Sequence, residues 1–211
     1  MKHTPFILLL ILALNLSAQK FNFSAGISLS NAGNPNELNQ RLVDYGAPVP
    51  NMMIGGELEF SYVTGNNFSF SLRPFFMNSI IKNDSISTYG SKVIPSINFG
   101  KIFRINDDFK IKTTLGYAMI FYSVNSRYIE KTLILNQPKD KLPVTSFYQL
   151  STYAHSLIFS VESMIYDDYS LSVSYALSIH NNEWKSNFYS FDQSFYDDLS
   201  TFVLSLKYYF N

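Results

Sequence analysis

MMIGGELEFSYVTGNNFSFSLRPFF, residues 52–76, is the stretch whose reading decides the fold. Met52, Ile54, Gly56, Leu58, Phe60 and Tyr62 fall on one side of a two-residue beat, against Gly55, Glu57, Glu59 and Ser61 on the other. After Thr64-Gly65-Asn66-Asn67 the beat resumes, with Phe68, Phe70, Leu72, Pro74 and Phe76 against Ser69, Ser71 and Arg73. A period of two marks strands with unlike faces, and a Gly/Asn-rich tetrad between two such runs marks a hairpin. Each run has about 10 residues or more, enough for a tilted strand to cross a bilayer, whereas strands of soluble domains average nearer 5–6.

Working outward, six more segments keep the beat. Phe21, Phe23, Ala25, Ile27 and Leu29 form the first. Val93, Pro95, Ile97 and Phe99 form a less regular fourth, and Phe109, Ile111, Leu115, Tyr117, Met119 and Phe121 a fifth. Tyr153, Leu157, Phe159, Val161 and Ile165 form the sixth, and Leu171, Val173, Tyr175, Leu177 and Ile179 the seventh. Phe202, Leu204, Leu206, Tyr208 and Phe210 carry the eighth to the end of the chain.

A soluble sandwich alternates too, so the connections must decide. Those at 64–67, 104–108 and 166–169 are tight and rich in Gly, Asn and Asp. Those at 30–51, 78–90, 125–148 and 181–197 are long, and short and long alternate strictly. Transmembrane barrels follow this rule, with tight periplasmic turns and extended outer loops. The expectation is an all-β, eight-stranded antiparallel up-and-down transmembrane β-barrel with both termini on the periplasmic side. Pro74 and Pro95 cannot donate to a ladder, so bulges or ladder gaps are expected at both.

Composition agrees. Of 211 residues, 15% are charged and 17% aromatic, a balance that suits a lipid-facing wall with ring-bearing girdles. Sixteen basic residues offset sixteen acidic ones, which gives no electrostatic case for a nucleic-acid partner. The chain has no cysteine, which excludes disulfides, thiolate metal sites and a lipidated N-terminal cysteine. Lys2 and His3, the apolar run Phe6–Leu14 and the small-residue exit at Ser17-Ala18 read as a cleaved signal peptide over 1–18. The barrel is then assigned to 19–211.

In a barrel the apolar face points to lipid and the polar face inward. That places Glu57, Glu59, Arg73, Lys110, Lys112 and Glu162 in the lumen, with Arg73 opposite Glu57 or Glu59. Eight strands leave a lumen that side chains just fill, so a plug of mutual ion pairs is expected; a narrow ion channel is the alternative.

The segment Pro48–Ser79 resembles the second hairpin of the Bacteroidota outer-membrane β-barrel domain family, which includes PorT-like proteins. The positions that carry the resemblance are Pro50, Gly55, Gly56, Gly65-Asn66-Asn67 and Pro74. VIPSINFGK, 93–101, is similar to that family's fourth strand, though Ser96 and Asn98 depart from its apolar pattern. LSLKYYFN, 204–211, resembles the aromatic tail that barrel-insertion machinery recognises, with Asn211 following the terminal ring. The resemblance implies a fold and an outer-membrane location, and brings no catalytic residue with it.

Residue chemistry points to no assembled reaction centre, cofactor or metal. His155 falls on the outward face near the loop end, close to Ser151 and Tyr153, and the spacing lacks the third group that orients a base. A lipid-A-modifying hydrolase built on His155 is the enzymatic alternative. His180 is read as inward-facing, and Asp107-Asp108, Asp167-Asp168 and Asp197-Asp198 as carboxylates of turns and loop feet. The loop at 181–197 holds Trp184, Phe188, Tyr189, Phe191, Phe195 and Tyr196, either self-packed as an ordered cap, the favoured reading, or displayed as a binding surface. Expected partners are outer-membrane lipid, the insertion machinery through the last strand, and other envelope proteins.

Overall fold

The computed structural model describes residues 20–33, 35–129, 146–180, 182–186 and 195–210. The proposed signal segment, Asn211, Phe188, Tyr189 and Phe191 lie outside the described residues. The strands are β1 (Lys20–Asn31), β2 (Met52–Val63), β3 (Phe68–Leu72), β4 (Phe75–Lys82), β5 (Ile86–Ile94), β6 (Ser96–Arg104), β7 (Phe109–Tyr128) and β8 (Ser146–Ile165). They are followed by β9 (Tyr169–Ser178), β10 (Asn182–Glu183), β11 (Lys185–Ser186), β12 (Tyr196–Asp197) and β13 (Thr201–Phe210). Among the described residues one helix, α1, spans Asn36–Asp44.

Eight wall positions close into a ring of antiparallel neighbours: β1, β2, β3 with β4, β6 with β5, β7, β8, β9 and β13. β13 returns to pair with β1 along Phe23↔Phe210 to Ser30↔Val203, so the sheet has no open seam. The turns at 64–67, 105–108 and 166–168 are the tight ones expected, with Asn67, Tyr166 and Asp167 in the left-handed region. The connection expected over 78–90 is instead a continued hairpin, paired out to Lys82↔Ser87. Its Asn83 side chain accepts from the Ser85 and Ile86 amides, which makes the turn short.

Both prolines interrupt the ladder without shifting it. Phe68↔Lys101 through Leu72↔Ile97 and Phe75↔Ile94 keep one register, which sets Pro74 opposite Pro95. Arg73 and Ser96 exchange two backbone bonds beside them, at 2.9 and 3.2 Å. The Leu58 amide donates to the Pro74 carbonyl and the Met119 amide to that of Pro95, and neither proline can return the bond. The gaps appear as expected; bulges do not.

Close approach governs Gly55. A Cβ there would lie 1.7 Å from the Phe76 carbonyl oxygen on the partner strand. Gly55→Ala is expected to cost about 1 kcal/mol or more by forcing β2 from β4, read as a lower midpoint of unfolding in lipid vesicles.

The outer wall is apolar and exposed: Ile27 is 68% exposed, Ile54 66% and Ile97 64%. Rings gather at the turn end (Phe21, Phe68, Phe103, Tyr208, Phe210) and at the loop end (Phe76, Phe121, Tyr153, Phe202). The interior differs from the sequence expectation. The carboxylate-bearing charge cluster occupies only its turn-side half. On the loop side Phe75, Met77, Ile94, Ile120, Val124 and Leu150 point inward and are buried. Those side chains belong to one buried cluster with Leu38 and Leu42 of α1, which lie one turn apart and are fully buried.

Candidate functional site

Six charged side chains meet in the turn-side lumen, all at most 2% exposed: Glu57, Glu59, Glu162, Arg73, Lys112 and Lys207. Alternation along β2 points both glutamates inward, and register sets Arg73 directly across from Glu59. Arg73 Nε nevertheless donates to Glu57, two residues farther along β2, while its terminal nitrogens reach Ser172 Oγ at 2.7 Å and Ser160 Oγ at 3.2 Å. Lys112 donates to Glu59 and lies 3.8 Å from Glu162. Lys207 bridges all three carboxylates, at 2.6 Å from Glu59, 2.7 Å from Glu162 and 3.5 Å from Glu57. Tyr209 and Ser170 hydroxyls donate to Glu162 at 2.6 and 2.5 Å.

Three cations thus balance three anions in a buried interior. Such a cluster is tolerable only when most of its lone pairs and protons are engaged, and Oε2 of Glu57 is a carboxylate oxygen left without a hydrogen bond. Of the sequence-named residues, Glu57, Glu59, Arg73, Lys112 and Glu162 come together. Lys110 does not. It sits at the turn-side mouth, where Asp167 of the β8–β9 turn holds it at 2.5 Å. Its place in the cluster is taken by Lys207, whose inward parity with Ser205 and Tyr209 is readable from the last strand's beat.

Lys92 is a further inward cation missed by the sequence reading, because β5 lacks a clean polar face. It is fully buried on the loop side, donates to the Asn31 carbonyl and to Thr201 Oγ1, and lies 5.0 Å from the centre of the Tyr122 ring.

Above this level lies a cap built around Asp197. Pro35 occupies the N-cap position of α1 and has no side-chain acceptor to offer. The Glu37 and Leu38 amides, the two that an N-cap residue normally satisfies, donate instead to Asp197 at 2.8 and 3.0 Å. Trp184 Nε1 donates to the same carboxylate at 2.9 Å. At the other end Gly46, with φ of 70°, allows its own amide to reach Val43 and the Ala47 amide to reach Leu42, which terminates the helix. Trp184 stacks on Phe195 at 6.0 Å and meets the Tyr122 edge at 5.4 Å, and Arg41 lies over the Phe195 ring. Trp184 and Phe195 are therefore cap residues, as the self-packing reading expects, while Tyr196 is exposed.

Burial pushes the Asp197 carboxyl above the ordinary aspartate range, against the three donors that favour its ionised form. The docked cap then holds a proton more tightly than an undocked loop would. Docking is strongest at acid pH and weakens as pH rises from about 4 through the displaced value. Trp184, the single tryptophan, reports this directly: its emission should shift to the red as the pH rises over that range.

The remaining sequence-named groups are dispersed. His155 faces outward and its Nδ1 bonds the Tyr117 hydroxyl across the β7–β8 ladder, with Tyr153 5.9 Å away. His180 is exposed, not inward as expected, because β9 ends at Ser178 and the chain leaves the wall. Among the described residues no group of three His, Cys, Asp or Glu could hold a metal ion.

No family model and no curated protein matches this sequence. Among solved structures the chain is similar to Ail, the attachment invasion locus protein of Yersinia pestis, at 17% identity and a TM-score of 0.47 over 92% of this chain and 100% of that one. It is also similar to the outer membrane protein OprG from Pseudomonas aeruginosa, at 11% identity and a TM-score of 0.46, covering 92% and 97%. Neisserial surface protein A is a third, at 12% identity and 0.42, covering 92% and 98%.

Proposed function

We propose that this chain is an integral outer-membrane protein of a Gram-negative bacterium, non-enzymatic, acting through its outer loops as a structural, surface-binding or envelope-complex accessory subunit. One observation carries the reading: the apolar residues of a closed barrel lie on its outside, while the charges lie inside. Only a hydrocarbon surrounding makes that arrangement favourable.

The balanced ion cluster and the Asp197 cap support a closed barrel over a channel. A histidine whose described hydrogen bond is to a tyrosine supports a non-catalytic reading of His155. The hairpin, fourth-strand and tail motifs support membership in the Bacteroidota outer-membrane β-barrel family and insertion through the strand Thr201–Phe210, the apolar run Phe6–Leu14 supports a cleaved segment over 1–18, and the tight turns at the end that carries both termini support a periplasmic side for them.

The test is to refold the mature chain into phospholipid vesicles and compare electrophoretic mobility before and after boiling. A mobility shift, with no steady conductance in planar bilayers, is expected. A chain that stays soluble without detergent overturns the membrane reading, and steady single-channel steps overturn the plugged lumen.

A further inference from the structure

Resting on that membrane reading, register places an unusual polar row on the outer wall. Asn78↔Ser91, Ser91↔Ser123, Ser123↔Ser151 and Ser151↔Lys185 are direct cross-strand pairs from β4 to β11. The next outward row toward the periplasm is Phe76↔Val93, Val93↔Phe121 and Phe121↔Tyr153. Small hydroxyls therefore lie immediately above a ring-rich edge of the lipid-facing band, at headgroup height. The wall is indented there. A second groove of about 410 Å³ lies at the turn end among Phe21, Phe60 and Phe70, with the buried Ser61 and Ser71 also in its lining. The loop-end groove, about 300 Å³, combines Ser91, Ser123 and Ser151 with Phe121 and Tyr153, and is bordered by Glu183 and Lys185.

We propose that this loop-end groove binds the sugar-bearing headgroup of an outer-leaflet glycolipid. Neighbouring strands lie about 4.8 Å apart, so three serines present hydroxyls at a spacing comparable to the width of a sugar ring. Each hydroxyl both donates and accepts, which matches sugar hydroxyls and not a bare phosphate. Ser91 and Ser123 already bond one another at 2.8 Å, which fixes their orientation and leaves lone pairs free. The rings below offer a face for sugar C–H groups and a path for acyl chains. Glu183 and Lys185, both exposed, cancel in charge, so the border brings no net attraction for anionic phospholipid. Lys185 is the donor for a phosphate carried on the sugar.

Native mass spectrometry of the refolded full barrel tests this, with lipid A and phosphatidylethanolamine offered in equal amounts. Wild type should retain lipid A preferentially, and Ser91→Val/Ser123→Val/Ser151→Val should lose that preference by about tenfold, about 1.4 kcal/mol, while binding phosphatidylethanolamine unchanged. Lys185→Ala should lose less with a lipid A lacking phosphate than with the phosphorylated form. Equal retention of both lipids by wild type, or an unchanged preference in the folded triple variant, overturns the proposal. Fold is read independently from the mobility shift on boiling. A barrel that inserts but shows no preference sinks the glycolipid site alone, whereas a chain that never inserts sinks the membrane reading beneath it.

Discussion

Lys207→Met is expected to destabilise the barrel by about 3–5 kcal/mol, the largest effect foreseen for a single change, because it leaves three buried carboxylates sharing two cations. Lys207 touches Glu57, Glu59 and Glu162, whereas Arg73 and Lys112 are each committed to one strong partner. After its loss Glu162 retains hydroxyl donors and a lysine at 3.8 Å, too little to hold an ionised carboxylate out of water. The midpoint of urea unfolding in vesicles measures the loss. Adding Glu162→Gln should recover a substantial part, since the amide oxygen still accepts from Tyr209 and Ser170 and one uncompensated charge is gone. A single variant as stable as wild type would show that the cluster is solvated.

Asp197→Ala should release the cap, with a local cost of about 3 kcal/mol, because three hydrogen bonds to one charged acceptor disappear together. Two of them are the only acceptors described for the Glu37 and Leu38 amides at the start of α1. The third orients Trp184. Tryptophan emission should move to the red and become accessible to acrylamide, while the mobility shift on boiling persists, since the wall does not depend on the cap. Asp197→Asn keeps an acceptor oxygen and should retain most of the docking without its dependence on pH. Emission unchanged in the alanine variant would mean that Leu38, Leu42 and Phe195 hold the cap by burial alone.

These two sites differ in how far they are readable from the chain. The wall is legible because its period of two is enforced at every residue by lipid on one side. The charged half of the lumen follows from the same parity, Lys207 included. The loop-side half does not, because positions such as Phe75, Met77 and Ile120 are apolar on both faces' terms, and their inward orientation depends on what covers the mouth. That cover is α1, nine residues with two buried leucines, ended by Gly46. Its start carries no local cap signature, since the acceptor comes from Asp197, 160 residues away from Glu37. Lys110 illustrates the opposite failure. Its parity is right, but a residue one pair from a turn is within reach of turn carboxylates, and Asp167 captures it.

The distribution of the six lumen charges among strands has a consequence for assembly. β2 contributes two negative charges and β8 one, while the compensating positive charges arrive on β7, on the Arg73 link between β3 and β4, and on β13. β7 and β8 balance one another through Lys112 and Glu162, but β2 with Arg73 keeps one negative charge in excess, so the six-charge cluster reaches neutrality only when the final strand docks against the first. A one-residue slip of that strand would turn Lys207 out into hydrocarbon, and a two-residue slip would carry it past its carboxylates. Ring closure is thereby proofread by charge, and a misthreaded last strand is left with a penalty that favours its release and another attempt.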